Sequence, residues 1–350
     1  MTDAFTPDYR HFEAVMQNRR PDRLPLYEHI VSPKVMEEIQ GQRFAALGAS
    51  TDPADLAEFA RHYGAFFRAM TYDTVSFEVC ITSILPDGGA LKGGKPGPIQ
   101  SRDDFDAYPW AELPARFRQA AYPRFDAMVA ALPAGMKLVG GVGNGIFEIS
   151  EDLVGLEYLP FMQVDDPDLH ADIYTRIGEL TAAIWREFLP RYGEHFVACR
   201  MGDDLGFKDS LLTNPRVIRE HIVPQYRRVI DLTHAHDKPF LWHSCGCIFA
   251  VMDDFIKLGI DAKHSNEDAI APFTRWIDDY SDRIGLLGGY DMDVLCTRTP
   301  DEIKELVLAT GRQYREAANG YALGSGNSIP DYVPAENYLA MVEAGRELRG

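Results

Sequence analysis

The densest run of chemically capable side chains is Leu241-Trp242-His243-Ser244-Cys245-Gly246-Cys247. Imidazole nitrogen and thiolate sulfur are donors that suit zinc, and a catalytic zinc takes three protein ligands and leaves a fourth position open. In an extended strand, side chains two apart project to the same side, so His243 and Cys245 can reach one ion. The same spacing also fits two thiols packed as small apolar groups, with His243 bonded to a polar neighbour. A second run, Gly202-Asp203-Asp204, follows an apolar stretch. Adjacent carboxylates in a pocket repel unless one is protonated, paired or metal-bound, which is how a catalytic acid or base is made. Helix capping by Asp204 or Asp209 is the competing reading. Glu28 and Glu148 carry the same two readings. The glycines of Gly324-Ser325-Gly326-Asn327-Ser328 let backbone N–H groups approach a ligand closely, as in a phosphate site, or simply close a tight turn.

Positioning these groups requires a scaffold, and the chain supplies a regular one. Eight short apolar stretches, at 24–30, 73–80, 137–143, 196–202, 239–243, 259–264, 284–289 and 320–323, alternate with longer amphipathic segments. That rhythm predicts a parallel sheet covered by helices, and eight repeats predict an α/β protein of the (β/α)8 TIM-barrel class. The 350 residues fit one domain spanning 1–350, with an N-terminal helical extension. Such barrels build their sites from the loops past the strand ends. Polar residues fall there after every stretch: Glu28 and His29; Glu78 and Cys80; Asn144 and Glu148; Asp203 and Asp204; His243, Cys245 and Cys247; His264, Asn266 and Glu267; Tyr290 and Asp291; Ser325 and Asn327.

Leu169, Ile173, Ile177, Leu180 and Ile184 recur at helical spacing within 168–189, and 215–235 behaves likewise. Thr299-Pro300-Asp301-Glu302 reads as a capped helix start, and Val333-Pro334-Ala335-Glu336 opens a last helix. The Gly- and Pro-rich stretch from Asp87 to Ala115 reads as a long loop over the barrel mouth, a lid or the contact of a homodimer.

With 53 acidic against 35 basic residues, the formal charge is −18. Such a surface repels phosphate backbones and anionic lipid, which argues against nucleic acid and membrane partners. No apolar run approaches the roughly 20 residues of a membrane span, and Asp3, Asp8 and Glu13 do not suit a signal peptide, so a cytoplasmic location is expected. Five cysteines, two of them at Cys245 and Cys247, do not resemble a secreted disulfide framework.

The HSCG segment at 243–246, GGYD at 288–291 followed by TPDEI at 299–303, and GSGNSIPDYVPAENY at 324–338 resemble the uroporphyrinogen decarboxylase superfamily, from about Asp22 to the C-terminus. The decarboxylases carry an arginine-rich motif of the form RQAGRY that grips the carboxylates of the porphyrinogen. Here the matching region reads Arg23-Leu24-Pro25-Leu26-Tyr27-Glu28-His29 and offers an acid instead. The resemblance is closer to the corrinoid-dependent methyltransferase branch. It implies zinc held by a His-x-Cys pair, here His243 and Cys245, plus a distant cysteine near the last strand. Ser325 stands at that last position, so Glu28, Glu78, Asp204 or Cys247 would complete the set, with Cys296 a further candidate.

GDDLGFK at 202–208 resembles the members that demethylate methoxylated compounds. The expectation is a methyltransferase moving a methyl group from a small methoxylated or methylated substrate to cobalamin on a separate corrinoid protein. The chain has no DxHxxG-type cobalamin motif of its own. Asp204 and Glu28 would supply the third ligand or the acid, with Glu148 a further catalytic carboxylate. Tyr290, Asp291, Asn327, Ser325 and Asn144 would bind substrate. The rivals are a decarboxylase of a uroporphyrinogen-like polycarboxylate, which would need several pocket cations, and a non-catalytic ligand-binding barrel.

Overall fold

A computed structural model describes residues 5–266 and 270–349, so Glu267 lies outside the described residues. Seven of the eight apolar stretches form parallel strands: β1 (Thr74–Cys80), β2 (Lys137–Gly143), β3 (Phe196–Gly202), β4 (Phe240–His243), β5 (Ala262–His264), β6 (Gly285–Tyr290) and β7 (Tyr321–Ser325). They hydrogen-bond in chain order in one sheet. Most of their residues are buried, as expected where helices cover a parallel sheet.

The stretch at 24–30 joins this sheet only by bridges, Leu26 to Leu323 and, just beyond the stretch, Val31 to Ile329. Tyr27 N donates to Leu323 O at 2.9 Å, and Leu323 N donates to Pro25 O at 3.0 Å. Pro25 has no N–H to give, which limits the ladder. Toward β1 the segment is held by the Ser76 hydroxyl, which donates to Glu28 O. Seven strands and a bridging segment thus stand where eight strands are expected, in a TIM-barrel-like α/β fold.

The sheet curls around a second apolar cluster, in which Val139, Leu241, Ala262, Leu287 and Ala322 pack with Tyr27. Phe12, Val15 and Met16 from the helix Arg10–Met16 close it. A Cβ at Gly285 or Gly320, where β6 and β7 begin, would run into Val15 O, so this plug sits at the N-terminal ends of the strands. The opposite ends are left for the site.

The segment 87–115 is more ordered than a loop. It holds the helix Arg102–Ala107, whose cap Ser101 accepts from Asp104 N at 3.3 Å, and from Leu113 it is already part of the helix Leu113–Ala130. Gly97 N and Ile99 N each donate at 2.9 Å to Val154 O and Leu153 O, tying it to the end of the helix Ile146–Leu153. Elsewhere the helix signals hold: Pro167–Tyr192 and Ala335–Glu347 are helices, and Thr299 with Glu302 forms a capping box. Among the described residues no helix is long and apolar enough to cross a membrane.

Candidate active site

Strand register sets the first layer of the site. Gly202 pairs with His243 and His243 with His264, so the groups past β3, β4 and β5 emerge side by side. The loops past β3 and β4 then touch backbone to backbone. Gly246 has φ +82°, and a Cβ there would overlap Gly206, so only glycine fits. Cys247 N donates to Phe207 O at 2.6 Å across this contact. The result is that Asp204 Oδ1 accepts from Cys245 N at 3.0 Å.

His243 Nε2 lies 3.4 Å from Cys245 Sγ and 3.8 Å from Asp204 Oδ1. The donor atoms of Asp204, His243 and Cys245 all lie within 4.8 Å of one another. Donors sharing a tetrahedral zinc at ~2.0–2.3 Å sit roughly 3.5 Å apart, so nitrogen, sulfur and oxygen here fit such an ion. Cys247, Cys296, Glu28 and Glu78, the other ligands considered, belong to no such group among the described residues.

Behind His243 lie two more imidazoles. The His29 ring stacks on it at 3.9 Å, and His264 Nδ1 is 2.8 Å from His243 Nδ1. His264 Nε2 lies 3.0 Å from Ser325 O. Burial, reinforced by neighbouring cations, holds His29 and His243 well below the ordinary histidine range and brings His264 down to about 3. All three rings are therefore neutral at pH 7, the form that binds metal.

The acids divide by role. Asp203 accepts from Phe147 N at 3.1 Å, Glu148 N at 2.9 Å and Tyr226 OH at 2.9 Å. The capping carboxylate is thus Asp203, on the helix Ile146–Leu153, which leaves Asp204 to face Cys245. Glu148 takes a bond from Asn144 Nδ2 at 2.8 Å, and Asn144 adopts φ +67° while its Oδ1 accepts from Thr82 N at 3.1 Å. Burial, then Asp204 and Asp203, push the Glu148 carboxyl well above the usual range.

Glu28 is fully buried and bonds the Ser325 backbone N–H at 3.0 Å and the Ser325 hydroxyl. That hydroxyl also reaches Asn327 O at 2.7 Å. Ser325 thus faces Glu28 rather than standing in for a thiolate.

Burial raises Glu28 to about 8 despite its bonds to Ser325, and raises Glu151 to about 8 with help from Asp203 and Asp204. An unfolded glutamate releases its proton near 4.5, so between about 4.5 and 8 the folded state holds more protons. The stability contribution is full below about 4.5 and is lost as pH rises toward 8. Below about pH 6.5 the three buried imidazoles, lowered in the folded state, pull the other way. The melting temperature is therefore expected to fall from about pH 6.5 to about pH 8.5, and Glu28→Gln, which mimics the protonated acid, to flatten that slope in a fluorescence melt.

Beneath the imidazoles, the buried Arg200 guanidinium donates to Glu78 Oε2 at 2.7 and 3.1 Å, to Tyr27 OH at 2.8 Å and to His29 O at 3.2 Å. A cavity of about 610 Å³ opens above the Asp204–Cys245 pair. Asp291 and Asn327 line it, with Lys208, Phe207 and Tyr332 among its other walls. Asn327 Nδ2 donates to Cys245 Sγ at 3.3 Å.

Tyr290, Ser325, Asn144, Glu28 and Glu148 are not among the lining residues. The Tyr290 hydroxyl points instead to the helix Pro300–Ala317, 3.3 Å from Val307 O. Sequence reasoning passed over Arg200 and Lys208 and gave no partner to His264; a lone Arg within the apolar run Phe196–Gly202 is the signal that was there to read.

Fold and site together define a parallel α/β protein with a nitrogen, sulfur and oxygen donor cluster at the strand ends. The model of the family described as Uroporphyrinogen decarboxylase (URO-D) matches residues 97–348, and the chain belongs to that family. A methyltransferase from Methanosarcina mazei has a similar structure, with TM-score 0.76 and 17% identity over 97% of this chain and 98% of that one. A B12-independent methionine synthase from Shewanella sp. W3-18-1 is more distant, with TM-score 0.51 and 13% identity over 94% of each chain. No curated protein matches the sequence.

Proposed function

We propose that this chain is a zinc-dependent methyltransferase that moves a methyl group from a small methoxylated or otherwise methylated compound to a corrinoid carried by a separate protein. The observation that carries the reading is the Asp204, His243 and Cys245 cluster, of which Asp204 and Cys245 line the cavity. Membership of a family of enzymes and likeness to a fold found in a methyltransferase support it.

His243, Cys245 and Asp204 would hold the zinc, whose Lewis acidity would polarise the oxygen bearing the methyl group. Asp204 takes the place of the second thiolate, and an oxygen ligand suits a site that acts on oxygen. Glu148, oriented by Asn144 and with its carboxyl raised by burial and by Asp204 and Asp203, does not line the cavity and would act through Asp204 rather than on the substrate. The departing oxygen would take its proton from water in the cavity as the carbon–oxygen bond breaks. Asp291 and Asn327 would position the substrate from the cavity wall. Phe207 and Tyr332 offer apolar faces to an aromatic ether. A polycarboxylate fits this cavity poorly, because Asp204, Asp291 and Asp293 face it and Arg200 is already paired with Glu78.

Protein purified without chelator is expected to hold about one zinc per chain. It is further expected to convert Co(I) cobalamin to the methylated form, followed by absorbance, when given a methoxylated aromatic compound. Zinc below a tenth of an equivalent even after reloading would overturn the metal mechanism, and zinc without transfer from any of a panel of methyl donors would overturn the reaction.

A further inference from the structure

We propose that His264 is a positioning residue that fixes the tautomer of His243 and thereby aims its Nε2 lone pair at Cys245 and Asp204. The inference rests on the metal reading above and assigns a role to a residue outside the ligand set.

The argument is a count of protons along one chain of contacts. Ser325 O can only accept, so the His264 Nε2 that lies 3.0 Å from it carries a hydrogen. His264 is fully buried and its two ring nitrogens face a peptide carbonyl and another imidazole rather than a carboxylate, so the ring is the neutral form with one N–H and its Nδ1 is bare. The 2.8 Å contact between the two Nδ1 atoms then requires the hydrogen to sit on His243. His243 Nε2 is left as a lone pair, 3.4 Å from Cys245 Sγ and 3.8 Å from Asp204 Oδ1.

A peptide carbonyl cannot change its role, so the whole series is anchored at Ser325. The position of that carbonyl is fixed in turn: the Ser325 N–H and hydroxyl meet Glu28, and the Ser265 hydroxyl and Asn266 N–H hold Gly326 O. The His29 ring, stacked on a face of His243 at 3.9 Å, holds the plane in which the His243 Nδ1 edge meets His264. A metal-binding histidine commonly gives its second N–H to an oxygen acceptor; here a second histidine fills that place.

Two variants separate this role from packing. His264→Phe keeps a ring of similar size and removes the acceptor. His264→Asn is smaller, yet its Oδ1 falls near the lost Nδ1 and can accept from His243. Titration of the metal-free protein with Co(II), read from the thiolate-to-cobalt absorption band, is expected to show affinity 10–100-fold lower for His264→Phe, with most of the loss recovered in His264→Asn.

Affinity of His264→Phe within about threefold of wild type overturns the proposal, as does an equal loss in both variants, which would make His264 a packing residue. No Co(II) binding by the wild type itself would instead remove the metal reading. In that case, or if a variant fails to fold, the ¹⁵N shifts of His243 in metal-free wild type decide: a hydrogen on Nδ1 supports the proposal and one on Nε2 overturns it.

Discussion

Alanine at both His243 and Cys245 is expected to leave a folded protein that holds no zinc and transfers methyl groups at least about 10³-fold more slowly, since Lewis-acid polarisation is worth several kcal/mol. The two side chains supply the nitrogen and the sulfur of the cluster: Cys247 and Cys296 join no donor group among the described residues, and the imidazoles of His29 and His264 group with His243 but with neither Cys245 nor Asp204. Asp204→Asn refines the point. It keeps a carbonyl oxygen to accept from Cys245 N but loses the anionic ligand. A fall in both zinc content and rate would make Asp204 a ligand. Full zinc with a slow rate would make it the acid, and zinc with an unchanged rate would remove it from the site. Elemental analysis, circular dichroism and the cobalamin assay on the same preparations distinguish these results.

Part of this geometry is legible in the amino-acid sequence itself. His243 ends β4 and Cys245 lies two residues past it, outside the strand, so the 3.4 Å separation of nitrogen and sulfur comes from the turn beyond the strand end rather than from alternation within it. What spacing cannot show is which neighbour arrives from another strand. Asp203 and Asp204 are equivalent on paper. The difference between them is three-dimensional: Asp203 turns toward the start of the helix Ile146–Leu153, and Asp204 toward Cys245.

Tyr290 illustrates the converse. It ends an apolar strand beside Asp291, yet alternation sends its ring outward to the helix Pro300–Ala317 while Asp291 lines the cavity. Composition also misled at 87–115, where Gly and Pro suggested a loop but the local Ser101–Asp104 cap starts a helix. The predicted strand at 259–264 shrank for a similar reason: Gly259, at φ +112°, caps the preceding helix instead of extending the sheet.

Arg200 yields the largest expected loss of stability. Its side chain is fully buried, and its guanidinium satisfies Glu78, Tyr27 and His29 O at once. Arg200→Leu would strand the Glu78 carboxylate and two further buried polar atoms, and breaking a buried pair in this way costs about 3–5 kcal/mol. Urea unfolding is expected to show that loss.

The paired substitution Arg200→Leu with Glu78→Leu should regain a large part of it, because removing both charges also removes their desolvation cost. Binding chemistry separates this structural role from a substrate-gripping one. If Arg200 holds the His29 backbone, and through it the ring stacked on His243, the double variant should bind Co(II) more weakly without any change in the charge of substrate it accepts. A double variant that keeps wild-type Co(II) affinity but loses anionic substrates would instead make Arg200 a pocket cation and return weight to a carboxylate substrate.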